Sequence, residues 1–141
     1  MNIEFFNTKT RYTIKSKMEL SLWLVATAKN EGYKIDSLNI IICSDEYLYK
    51  MNMQFLKHDT YTDIITFDQS TVQSFINAEL YISIDRIRDN AKLQKSTIVN
   101  ELHRVIVHGL LHVCGYKDKK PTDKAVMSEK EDFYLSLRKF L

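Results

Sequence analysis

The stretch ELHRVIVHGLLHVCGYKD, residues 101–118, decides how this chain is read. From Thr97 to about Cys114 the apolar run is too long for an ordinary strand and fits a long helix. Successive helical residues advance by about 100° and about 1.5 Å, so His108 and His112 lie about 40° apart around the axis and one turn apart along it. Both imidazoles can then reach one ion. Gly115 stands where a helix is turned off by a left-handed residue. Three residues later Asp118 offers a hard oxygen donor, giving HxxxHxxGxxD. Three protein ligands leave a coordination position open, and zinc held in this way lowers the pKa of bound water toward ~7, which is a hydrolase's equipment. The competing reading is a core helix whose histidines bond to backbone, with Asp118 capping the next turn. His103, about 140° off the ligand face, is expected at the surface.

Upstream, NIEFFN (2–7) reads as a first strand, and residues 16–32 as a helix burying Leu20, Trp23, Leu24, Thr27 and Ala28, with Gly32 as its stop. SLNIIICS (37–44) is a β-branched run that fits a buried strand. Ser44 then caps a helix through DEYLYKMNMQFL, with Leu48, Met51 and Phe55 at helical spacing. TDIITFD (62–68) and AELYISI (78–84) read as neighbouring strands joined by a loop longer than a tight hairpin, and DRIRDNAKLQK as a short polar helix. Residues 123–139 form a last amphipathic helix through Val126, Phe133, Tyr134 and Leu137. The order βαβαββααα predicts an α+β fold: a small mixed four-stranded sheet packed with about five helices, the metal-site helix in the C-terminal half.

The 141 residues suit one domain over 1–141. Hydrophobic residues at 45%, charged residues at 27%, three glycines and one proline place the chain with compact globular proteins. A net charge of +2 is too small to argue for nucleic-acid binding on its own. Cys43 and Cys114 form no CxxC, so they are expected as buried, reduced thiols. No signal peptide or membrane-spanning run is evident, which predicts a cytoplasmic protein with no membrane partner.

Three segments together resemble the YbeY family of bacterial single-strand-specific endoribonucleases. Residues 101–118 are similar to its HGxLHxxGYDH helix, MNMQFLKHDTYTDIITFD (51–68) to its LNxxYRxxDxPTDVLSF segment, and AELYISIDRIRDNA (78–91) to its GDIxISxExA strand and helix. The segments occur in family order. The resemblance implies one divalent metal, zinc with nickel as the alternative, on His108, His112 and Asp118, the last standing where the family has a third histidine. It implies single-stranded RNA as substrate, the small ribosomal subunit as partner, no DNA partner, and a role in ribosomal RNA maturation (16S 3′ end) and ribosome quality control. The family's cleft arginine falls at Leu56, which leaves Lys57 and His58 as substitute phosphate contacts. Its proline falls at Tyr61.

Lys117, within KDKK at 117–120, is a third candidate for RNA contact at the rim. Glu79 is a candidate general base. Of Tyr47, Tyr49, Phe55, Phe67, Tyr81 and Tyr116, one or two could stack bases. A zinc peptidase is one alternative, weakened because Gly109 occupies the position where HExxH enzymes carry their glutamate. A ribosome-assembly binding factor with a structural metal is the other.

Overall fold

The computed structural model describes residues 2–140, so Met1 and Leu141 of the expected domain lie outside it. The elements run β1 (Ile3–Thr8), α1 (Lys17–Asn30), β2 (Lys34–Cys43), α2 (Asp45–Leu56), β3 (Ile64–Asp68), β4 (Phe75–Ser83), α3 (Ile84–Leu93), α4 (Ile98–Val113) and α5 (Pro121–Ser136). This is the α+β order that the sequence predicts. The sheet has strand order β1-β2-β4-β3, with β1, β2 and β4 parallel and β3 antiparallel at the edge against β4.

In β2 the run Ile40–Cys43 is buried throughout, as a strand covered on both faces requires. It starts at Lys34 rather than Ser37, because Lys34 and Ile35 pair with Phe75 and Ile76 of a β4 that also begins early. Pairing with a neighbour outruns the local pattern here, and the connection from β3 shrinks to residues 69–74. Ser44, Ser83 and Thr97 cap α2, α3 and α4 by accepting from the backbone N–H three residues on.

The pleat sends alternate residues of β3 and β4 to opposite faces. Ile64, Thr66, Leu80 and Ile82 face the layer of α1 and α4, which carries the main core. Ile65 joins Leu48 of α2 and Cys43 in a smaller cluster on the other face. Gly109 sets how closely α4 lies on the sheet: a Cβ there would meet Ile64 Cδ1 at 2.7 Å and Leu80 Cδ2 at 3.0 Å. A glutamate at this position would drive into the sheet.

Helix α4 packs against β3, β4, α1, α3 and α5. This overturns the surface expectation for His103, which is 3% exposed. Turning away from His108 leads to α1 and the C-terminal segment rather than to water. The His103 ring lies 5.9 Å from Trp23 and 5.6 Å from Phe140.

Helix α5 starts at Pro121, a residue suited to the first helical position. Its buried stripe is Met127, Glu131, Tyr134 and Leu135, so only Tyr134 of the expected face holds; Val126, Phe133 and Leu137 are exposed. Both cysteines are free. Cys43 is buried as expected and Cys114 only half-buried, and burial pushes each thiol up to about 12. Among the described residues no helix is long and apolar enough to cross a membrane.

Candidate metal centre

The end of α4 is built to bring three donors together. Gly115 takes φ of 105°, and the turn closes with Gly115 N donating to His112 O and Tyr116 N to Leu111 O, both at 3.0 Å. That reversal carries Asp118 back over the helix. Its Oδ2 lies 3.2 Å from His108 Nε2 and 3.1 Å from His112 Nε2. One donor atom from each of the three residues falls within 4.8 Å of the others, which is the spacing a single ion needs.

The outer nitrogens fix how the rings present themselves. His112 Nδ1 faces the Tyr116 carbonyl oxygen at 2.9 Å, and a carbonyl can only accept, so Nδ1 carries the proton. His108 Nδ1 likewise donates to Glu131 Oε2 at 2.6 Å, while Arg104 Nη1 holds the other oxygen of Glu131 at 3.0 Å. Each Nε2 lone pair therefore points toward the Asp118 carboxylate. Three lone pairs converging at this distance repel one another unless a cation lies among them, so the donor set fits a divalent metal.

The charges agree with that fit. Burial alone would lower His108, but the hydrogen bond and charge of Glu131, with Asp118 and Asp63, raise it above the usual imidazole range. Burial would raise Asp118, but the two imidazoles hold it below the usual carboxylate range. The surroundings favour positive charge at this point.

The cluster opens on a cleft of about 540 Å³ lined by Leu56, Thr62, Asp63, Thr66, Asp68 and Lys119, among others. Asp63 is half-buried in this wall, accepts from Asn90 Nδ2 at 3.3 Å, and is raised by burial, with the charge of His108 opposing. The loop leading to it is pinned by Tyr61, whose hydroxyl donates to Glu46 Oε1 at 2.8 Å. The Tyr61 ring stacks on Tyr49 at 4.4 Å, and the Arg86 guanidinium lies 4.8 Å above it. These contacts tie Tyr61 to α2 and α3.

Other predicted site residues fall elsewhere. Glu79 sits opposite Phe67 in the β3–β4 register, so it faces α2 and lines a separate depression. It is not brought to the donors. Lys57, His58 and Lys117 are exposed and do not line the cleft; Leu56 and Lys119 do. Sequence reasoning missed Glu131 and Asp63. For Glu131 the available signal was the spacing 127, 131, 134, 135 on α5, which sets an acid within an otherwise apolar stripe.

The model of the family described as Endoribonuclease YbeY matches residues 2–138. The chain is 56% identical over 138 residues to the Endoribonuclease YbeY of Cytophaga hutchinsonii, covering 98% of this chain and 96% of that one. It is 42% identical over 127 residues to the Endoribonuclease YbeY of Flavobacterium johnsoniae, covering 90% and 91%. Its fold is similar to the solution structure of TM1509 from Thermotoga maritima, with a TM-score of 0.65 and 25% identity over 95% of this chain and 87% of that one. A match that runs through nearly every element, together with the donor cluster on α4, means that the chain belongs to the endoribonuclease YbeY family.

Proposed function

We propose that this chain is a metal-dependent endoribonuclease that cuts single-stranded RNA during ribosomal RNA maturation, the 16S 3′ end included, and in ribosome quality control. The small ribosomal subunit is its partner, the cytoplasm its compartment, and zinc its ion, with nickel the alternative. Relatives named as endoribonucleases support the RNA substrate. The observation that carries the reading is the convergence of His108 Nε2, His112 Nε2 and Asp118 Oδ2 at the wall of an open cleft. Such a cleft admits a strand, and an ion held by the three donors would be reached from it.

When bound, a divalent ion supplies Lewis-acid charge stabilisation on phosphate oxygens and makes water more acidic. The chain's own residues do the rest. Glu131 and the Tyr116 carbonyl hold a proton on each Nδ1, so both Nε2 lone pairs stay available. Lys119, in the cleft lining, offers a cation to the phosphodiester backbone. Asp63, rather than Glu79, is the candidate base, because it lines the cleft and can accept a proton from attacking water. A peptidase reading loses further ground, since residue 109 points into the sheet rather than the cleft.

The test is metal content by mass spectrometry alongside cleavage of end-labelled single-stranded and duplex RNA. The zinc-loaded chain is expected to cut the single strand and spare the duplex, and His112→Ala to lose both ion and cutting. A chain that keeps one equivalent of metal yet leaves single strands intact would hand the site to the assembly-factor reading.

A further inference from the structure

On the far side of β3 from the metal cleft lies a second depression of about 540 Å³. Phe55 stands in it 57% exposed, although its helical spacing predicts a core position. Buried Asn52, one turn earlier in α2, donates through Nδ2 to Thr60 O at 2.9 Å, whereas Phe55, next to the last residue of the helix, stays open to the depression. The ring meets Phe67 edge-to-face at 6.1 Å, and Phe67 meets Tyr81 in the same way at 5.7 Å, so three rings form a chain along the depression.

The geometry points to this depression as a nucleobase-stacking subsite for the RNA strand that enters the metal cleft. Its occupant is fixed by continuity. Leu56 and Asp68 line the metal cleft, while their chain neighbours Phe55 and Phe67 line the depression. A single strand that leaves the cleft over the edge of β3 therefore meets aromatic rings directly. Aromatic rings stack any base, and RNA single strands present unstacked bases to such platforms. The polar groups suit a base rather than a phosphate. Gln54 and Gln69 can donate and accept, and Glu79 can accept from an exocyclic amine, whereas its charge would repel the backbone. Lys50, in the same lining, is left for the phosphate.

The inference rests on the nuclease reading, so its test measures binding and cutting separately. Full chain carrying His112→Ala is titrated into a fluorescein-labelled single-stranded RNA of about 12 nucleotides and followed by anisotropy. Adding Phe55→Ala is expected to weaken binding by roughly 5- to 150-fold, and Phe55→Trp to preserve it. An abasic nucleotide moved along the strand should reproduce that loss at one or two positions, with no further loss in the Phe55→Ala chain. Unchanged affinity of Phe55→Ala for the intact strand overturns the proposal. That holds also if the variant instead loses self-association in sedimentation, which would give the depression to a second copy. Cleavage of the same strand by the His112→Ala chain on a gel would sink the cleft chemistry alone and leave the Phe55 coupling standing.

Discussion

Two residues outside the donor set govern whether it holds together. Gly115 has open space where a Cβ would lie, so its role is conformational rather than steric. An alanine there keeps φ near 105° only against backbone strain of about 1–2 kcal/mol. Gly115→Ala is expected to lower the unfolding free energy by that amount, read from the shift of the urea midpoint, and to weaken zinc binding as Tyr116 O and Asp118 shift; an unchanged midpoint would show that the turn relaxes freely. Glu131 acts through charge. In Glu131→Gln the amide NH₂ must face a donor, either His108 Nδ1–H or Arg104 Nη1, while the volume is kept. Zinc affinity, measured by competition with a chromogenic chelator, should fall by about 10- to 100-fold with little change in melting temperature. Unaltered affinity would remove Glu131 from the site.

At the scale of elements, the approach of α4 to the sheet has its own signature. Gly109→Ala puts a methyl 2.7 Å from Ile64 Cδ1, and overpacking of this kind destabilises by about 1–3 kcal/mol. Valine lacks that Cδ1 atom, so Ile64→Val should recover part of the loss in the double variant, the rest remaining with Leu80. Additive destabilisation by the two changes would refute the contact. The same packing explains what could be read in advance. Periodicity located the elements to within a few residues, because Leu20, Trp23, Leu24 and Ala28, or the isoleucines of β2, bury by local rules, whereas on α5 only Tyr134 of the expected stripe is buried. The HxxxHxxGxxD spacing brought the three donors together for the same reason, since four residues of helix and one glycine turn are local geometry. Glu131 arrives 23 residues after His108, and Asp63 from a strand edge. Such partners are set by helix–helix and helix–sheet docking, which no single segment encodes. Glu79 lies on the other face with its cross-strand partner Phe67, and a one-residue difference in strand parity is enough to exchange the faces of the sheet.

Across the whole molecule, burial of α4 on most of its sides has a consequence for acid stability. His103 is enclosed by Trp23, Phe140 and Arg138, and Arg138 Nη1 donates to its Nδ1 at 2.8 Å, a bond that only the neutral ring can accept. Burial first, and the Arg138 charge second, push its pKa down from 6.5 to about 4. An unfolded chain takes up this proton near pH 6.5, whereas the folded chain refuses it until about pH 4. Stability from His103 is thus complete above pH 6.5 and lost as pH falls toward 4, by roughly 3 kcal/mol at most. Glu101 and Asp63, raised by burial, bend the total curve the other way, because their folded forms hold protons longer than the unfolded chain does. The informative quantity is therefore a difference. His103→Gln keeps an acceptor for Arg138 but cannot titrate, so its urea midpoint should fall less than the parent's between pH 7 and pH 5. Parallel curves for the two chains would mean that the folded ring takes its proton as readily as the unfolded one, which its seat between Trp23 and Phe140 forbids.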